Sequence, residues 1–212
     1  MERKLLVWLA VLLIFCICDR PIMAEKPMID KEYYDLIGKV EQYQNAKNYT
    51  KVIEFCKRAI QLNPDIGLAY SHLGQSYLGL DRNQEAVMAF ERAKQLQPDM
   101  LMIDTFLGMA YAFSGRYQEG VGALKQAILK NTKSSLDYQM LGFCFVKLKR
   151  YKDALEASRQ AIRLDPDNAS AHYYLGISYL ALGKKGEALG EYKMLMNLDP
   201  KAADKLFKFI YP

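Results

Sequence analysis

Apolar positions along most of this chain recur in steps of three and four. Tyr70, Leu73, Gly74 and Tyr77 mark one face of a helix. The polar run Asp81-Arg82-Asn83 interrupts that pattern. Ala86, Phe90 and Ala93 then mark a second helix, which Gln97-Pro98-Asp99 ends. Proline cannot continue a helix, and Asp99 is placed to cap the next one. The cycle then repeats. Gly74, Gly108, Gly142 and Gly176 stand 34 residues apart, and Pro64, Pro98, Pro166 and Pro200 fall on the same period. A fixed period of 34 predicts an all-α array of paired helices, each pair packed on its neighbours. Small residues such as Gly74 and Ala86 let two helix backbones approach, and large residues fill the rest of the seam.

Departures from the period carry their own expectations. Thr132 stands where the series calls for proline, and the preceding helix contains Gly120 and Gly122. Each glycine weakens a helix by about 1 kcal/mol relative to alanine. The junction from Lys130 to Ser135 is therefore expected to be the loosest point. Ser158 stands where a large apolar residue is expected, so its helix should pack less well. Residues 201–212 predict a closing helix and tail, with Leu206, Phe209 and Ile210 on one face.

The first 24 residues differ in kind. Arg3 and Lys4 precede an uninterrupted apolar run from Leu5 to Cys18, followed by Asp19, Arg20 and a small residue at Ala24. This order predicts a secretory signal peptide cut after Ala24, with residues 25–32 as a short linker. The alternative is a membrane anchor formed by residues 5–18, although a spanning helix needs about 20 apolar residues. The protein is thus expected to be exported, either periplasmic or secreted, with membrane contact only through this segment.

The formal charge of +5 and a 51% hydrophobic composition describe a foldable chain without a polyelectrolyte tail. Nucleic-acid binding is not expected. Little in the chain can carry catalysis. His72 and His172 are far apart, and neither sits at metal-ligand spacing with another His or Cys. No phosphate-binding loop or nucleophile elbow is present. The expected protein is not an enzyme and has no metal, cofactor or catalytic residue. His172 shares a seam position with Tyr70 and Tyr138, so a packed histidine is expected there. Cys56 and Cys144 lie in apolar helical patterns and read as buried free thiols. Arg82, Arg116, Lys149, Arg150, Lys184 and Lys185 fall near the turns between paired helices, where they would form a basic rim.

The repeat resembles the tetratricopeptide repeat family over roughly residues 33–202. The resemblance is carried by Leu107, Gly108, Tyr111, Gly115, Tyr117, Leu124 and Ala127 in one unit. The next has Tyr138, Leu141, Gly142, Phe145, Tyr151, Ala154 and Ala161, and the last has Leu175, Gly176, Tyr179, Gly183, Ala188 and Tyr192. It implies a right-handed superhelical solenoid of five helix–turn–helix units (33–66, 67–100, 101–134, 135–168 and 169–202) and a C-terminal capping helix. It also implies a concave groove lined by the front helix of each unit. Leu68, Met102, Met109, Phe113, Leu136, Phe143, Val146, Tyr173, Ile177 and Leu180 are the expected lining. Such a surface suits an amphipathic or extended apolar segment of a protein partner. The expected role is an adaptor of the cell envelope, the alternative a carrier of an apolar small molecule or lipid. Family members that clamp a terminal carboxylate use lysine and asparagine at two groove places. Here those places hold Ile37 and Glu41, Ser71 and Gln75, and Thr105 and Met109, so no such clamp is expected.

Overall fold

The computed structural model describes residues 22–131 and 133–212. The apolar run Leu5–Cys18 and Thr132 lie outside them. Among the described residues all regular structure is helical, and no helix is long and apolar enough to cross a membrane. The chain divides into two compact units, one ending at Asp65 and the other running from Ile66 to Pro212.

The first unit is a helical hairpin of α1 (Ile22–Asn45) and α2 (Tyr49–Leu62). Tyr33, Leu36, Ile37 and Val40 of α1 and Val52, Ile53, Cys56 and Ala59 of α2 are buried. The Tyr43 and Phe55 rings stack at 5.5 Å, and the Asn48 side chain caps α2 by accepting from the Lys51 amide. One expectation is corrected here. Residues 25–32 are part of α1, not a linker. Despite Pro27, most of the residues from 24 to 32 (Ala24, Glu25, Lys26, Met28, Lys31 and Glu32) are strong helix formers, and they run straight into the apolar face at 33, 36, 37 and 40.

The second unit contains four helix pairs and a closing helix. They are α3 (Gly67–Gly79) with α4 (Asn83–Leu96), α5 (Ile103–Phe113) with α6 (Tyr117–Lys130), α7 (Ser135–Lys147) with α8 (Tyr151–Leu164), and α9 (Ala169–Ala181) with α10 (Lys185–Leu198), followed by α11 (Pro200–Ile210). Each pair packs on the next, and α11 packs on both α9 and α10.

The period is written in the backbone as well as in the side chains. Lys47, Asp81, Gly115, Lys149 and Gly183 all have positive φ, from 54° to 83°. They stand 34 residues apart, each just past the end of a front helix. In the second unit the amide that follows bonds back five residues, as from Arg82 to the Tyr77 carbonyl, Arg116 to Tyr111 and Arg150 to Phe145, each at 2.8 Å. This is the Schellman arrangement, in which a left-handed residue turns the chain and satisfies orphan carbonyls of the helix end. Glycine occupies two of the five places. The others bear the Cβ penalty of about 1–2 kcal/mol that this conformation imposes.

The ruler glycines mark the tightest contacts in the stack. A Cβ at Gly74 would lie 2.7 Å from the Phe90 ring, one at Gly108 2.6 Å from Leu124, and one at Gly142 2.7 Å from Ser158 Oγ. At Gly176 the filling residue is Leu206 of α11, at 2.6 Å. The closing helix thus supplies the apolar contact that α4 and α6 supply within their own pairs. Its buried residues are Ala203, Leu206 and Ile210, whereas Phe209 is 62% exposed. Of the three residues expected on one face, Leu206 and Ile210 are buried and Phe209 is not. The i, i+3, i+7 stripe is complete with Ala203, and Phe209 turns outward.

Ser158 is fully buried, and its hydroxyl has no hydrogen-bond partner. An unsatisfied buried polar group destabilises by about 1–3 kcal/mol. Ser158→Ala removes the hydroxyl and leaves only a small gap under Gly142. We expect a stability gain of about 1 kcal/mol, read as a higher urea midpoint at unchanged slope. A lower midpoint would contradict this.

The segments flanking Thr132 are anchored. Lys130 Nζ donates to the Pro98 carbonyl at 3.1 Å. Ser134 Oγ caps α7 by accepting from the Asp137 amide, and Ser135 Oγ donates to the Ala161 carbonyl at 3.0 Å. α6 runs unbroken through Gly120 and Gly122. Gly120 is buried where a Cβ would press on the Gly108 carbonyl and Cys144 Sγ, so it serves close packing, while Gly122 faces open space.

Candidate functional site

A cavity of about 610 Å³ opens between α7 and α9. Five residues expected in the groove line it: Phe143 and Val146 from α7, and Tyr173, Ile177 and Leu180 from α9. The spacing explains their convergence. Positions 143 and 146, and 173, 177 and 180, are three and four apart, so each set lies on one helix face.

Five further lining residues escaped the sequence reading: Lys147, Tyr151, Tyr174, Ala181 and Phe209. Tyr174 and Ala181 lie one step around the same helix, α9, and Tyr151 is the first residue of α8. Phe209 reaches the cavity only because α11 folds back on α9, a tertiary fact with no local sequence signal.

Phe143 is the centre of the lining. Its ring meets Phe113 at 6.2 Å, Tyr117 edge-on at 6.0 Å and Tyr174 at 5.6 Å, and Lys147 Nζ lies 5.6 Å from its centroid. Aromatic pairs of this kind add about 0.5–1.5 kcal/mol each beyond burial. Phe143 and Met109 both pack against the core cluster built from α5, α6, α7 and α8. They are wall and core together. Burial pushes the Tyr174 phenol up to about 12 and raises Tyr173 as well, so both stay neutral. Among the described residues Lys147 is the single charged one in the lining.

The remaining groove residues are not gathered into this cavity. Phe113 is half-exposed beside Phe143 and extends the aromatic surface onto α5. Leu136 is exposed at the start of α7 and Leu68 is half-buried in α3, and neither lines the cavity. Met102 is a correction. It precedes α5 with φ 61° and lines a separate pocket, so it is not on the inner helix face. The Asp99 cap is corrected with it. Residues 99–102 form turns, α5 starts at Ile103, and Met102 occupies the cap place without a side-chain bond.

Three members of the expected basic rim are paired with acids. Arg82, Arg116 and Arg150 each pair with an acid three residues on, Glu85, Glu119 and Asp153. Each guanidinium also lies over the preceding helix's ring, Tyr77 at 4.5 Å, Tyr111 at 4.4 Å and Phe145 at 4.7 Å. These arginines lock turns and are already neutralised. Lys185 lies over the Tyr211 ring at 4.2 Å, and Lys149 holds a left-handed turn position. Lys184 fills the cap place of α10.

Two buried polar groups stand at the seam position otherwise held by Tyr70 and Tyr138. His172 Nδ1 is 2.6 Å from Glu191 and its Nε2 is 3.0 Å from the Pro166 carbonyl. The Glu191 bond raises its pKa against the opposing effect of burial. Asp104 is 2% exposed and lies between Lys94 and Lys130, each at 2.7 Å. Burial pushes its carboxyl up, but the hydrogen bonds from Lys130 and Lys94 outweigh that and hold it below the usual carboxylate range. Cys56 and Cys144 are buried free thiols, pushed up to about 12 by burial, and are unreactive as nucleophiles. Among the described residues no group of His, Cys, Asp and Glu is placed to hold a metal ion.

Tetratricopeptide repeat models match residues 68–100 and 170–202, and a TPR repeat model matches residues 144–183. No curated protein sequence matches the chain. Among solved structures the chain is similar to MamA (residues 41 to the end) from Desulfovibrio magneticus RS-1, with TM-score 0.74 and 16% identity over 80% of this chain and 96% of that one. A second MamA structure, MSR-1, gives TM-score 0.69 and 22% identity over 80% of this chain and 98% of the other. YrrB, described as a TPR protein with an unusual peptide-binding site, gives TM-score 0.72 and 19% identity, covering 89% of this chain and 98% of that one. At such identities the likeness speaks for the fold. Three matched repeat models, set within a helical stack of this fold, show that the chain carries tetratricopeptide repeats.

Proposed function

We propose that this protein is a non-catalytic interaction scaffold that holds an apolar or amphipathic segment of a protein partner in the groove between α7 and α9. The observation that carries this reading is the cavity of about 610 Å³ walled by Phe143, Val146, Tyr173, Ile177, Leu180 and Phe209. The Tyr173 and Tyr174 phenols are neutral and no carboxylate is among the described lining residues, so the cavity favours apolar contact. Phe113 and Phe209, 47% and 62% exposed, continue the aromatic surface beyond the cavity mouth. An exposed apolar patch of this kind is characteristic of interaction sites. The similarity of fold to YrrB, a protein with a peptide-binding site, is in keeping with a peptide ligand. The charged start, apolar run and small residue at Ala24 support a place in the cell envelope.

The cavity volume also falls in the range of about 300–1,000 Å³ typical of small-molecule sites. That gives the second reading, an apolar small molecule or lipid in the same groove, a specific basis. One experiment separates the two. A photo-crosslinking residue is placed at Phe209, and a control at Met88, which is 63% exposed on α4. Irradiation in the native host should yield a protein adduct from position 209 and none from 88, and Ile177→Gln should remove it. Equal adducts from both positions would defeat the groove reading. An apolar compound released from the denatured purified protein, with no protein adduct, would establish the carrier instead.

A further inference from the structure

A second pocket, of about 250 Å³, lies where the α4–α5 turn meets the end of α6 and the start of α7. Its mouth is apolar, formed by Met100, Leu101 and Met102, and Asp104, Lys130 and Asp137 lie among its walls. The three residues preceding α5 are unusual for an exposed turn. Leu101 is 86% exposed, and Met102 is held at φ 61°, a conformation that a long side chain rarely adopts. Strain of this kind concentrates where a ligand is clamped.

Asp137 is the more telling residue. Its equivalents in the other units of the stack are Ala69, Ile103 and Ala171, all essentially inaccessible. Here a carboxylate occupies the same buried place, and its Oδ1 has no hydrogen-bond partner. Ser134 Oγ accepts from the Asp137 main-chain amide and so does not answer Oδ1. The nearby cations are committed elsewhere. Lys94 and Lys130 both pair with Asp104 at 2.7 Å, and Lys130 also donates to the Pro98 carbonyl. A buried carboxylate without a counter-charge is strongly unfavourable unless a cation or donor reaches it.

We propose that this pocket receives the side chain of an arginine presented by a protein partner, with the guanidinium answering Asp137 and the aliphatic stem lying along Leu101 and Met102. The volume is below the range of drug-sized ligands and suits a single long side chain. Arginine fits better than lysine, because the guanidinium is more weakly hydrated and pairs with a carboxylate through two parallel bonds. An apolar stem with a charged head matches an apolar mouth over a carboxylate. The site is separate from the groove between α7 and α9, so either can stand without the other.

The test uses three capped tripeptides, acetyl-Gly-Arg-Gly-amide and its lysine and citrulline counterparts, titrated into the full chain by NMR. The arginine peptide should give saturable shifts in the amides of 134–137 and the methyls of Met100 and Met102. Citrulline, which keeps the shape and loses the charge, should bind about tenfold more weakly or worse. Asp137→Asn should lose binding by a similar factor. If that variant fails to fold, Leu101→Ser, at an exposed place, supplies the second arm and should weaken arginine binding without altering the helix spectrum. Equal binding of citrulline, or no saturable shift up to about 10 mM peptide, where even a millimolar contact would register, overturns the proposal. Equal binding of the lysine peptide overturns the assignment to a guanidinium.

Discussion

Lys94→Met combined with Lys130→Met is expected to lower stability by about 3 kcal/mol near neutral pH, and the loss should shrink on acidification. Asp104 is the reason. Its carboxylate is 2% exposed, and its two oxygens each take one lysine at 2.7 Å. Methionine keeps the aliphatic stems and removes only the charges. The lysines are partly exposed, so their screening places the effect at the lower end of the usual range for breaking a buried pair. The sign of the pH dependence should invert. In the parent chain Asp104 has a depressed pKa, so its stabilisation is present above about pH 4, its unfolded value, and is lost as pH falls through the folded value. Without the lysines only burial acts on the carboxyl, and burial raises its pKa. The variant is then least stable when the carboxylate is charged and gains as pH falls through that raised value. Urea midpoints of both chains from pH 7 down to about pH 4 measure this. Parallel curves would show that the lysines do not compensate Asp104.

The second large effect is expected at the closing helix. Leu206 is fully buried and fills the space above Gly176. Leu206→Ala should destabilise by about 3 kcal/mol, within the range for leucine truncation in a core. The loss should also be local. In a stack where each pair contacts only its neighbours, weakening one end frays that end first. Hydrogen exchange should therefore accelerate in α9, α10 and α11, while α3 and α4 keep their protection. A uniform acceleration across the second unit would mean that it unfolds as one block and that the closing helix is no separate element.

Most of the architecture is legible in the sequence because it is local. The glycine, the aromatic and the turn of each unit recur every 34 residues, and each contact they make lies within one pair or with its neighbour. Helical spacing groups Phe143 with Val146 and Tyr173 with Ile177 and Leu180, while the choice of the front helices as the groove lining is what the family resemblance implies. What the sequence hid is of two kinds. Met102 looks like a helical position by counting from its neighbours, yet the chain takes a left-handed step there and starts α5 one residue later. Counting cannot reveal a backbone conformation that the residue itself disfavours. Phe209 and the arginine locks depend on which element folds back on which, and no periodicity encodes that. The polar residues at otherwise apolar places, Asp104, Asp137 and Ser158, are visible as exceptions in an alignment of the units with one another. Only the structure shows their different fates: Asp104 paired twice, Asp137 left open, Ser158 sealed in.

The double duty of α11 ties two properties together. Leu206 holds the end of the stack, and Phe209, less than one turn later, forms part of the groove wall. Occupancy of the groove and docking of this helix are therefore thermodynamically reciprocal. Whatever fills the cavity must also slow the opening of the last helix, and whatever loosens that helix must release what the cavity holds by the same factor. Helix α11 is then a natural point of control, since an event on it would be felt as a change in grip.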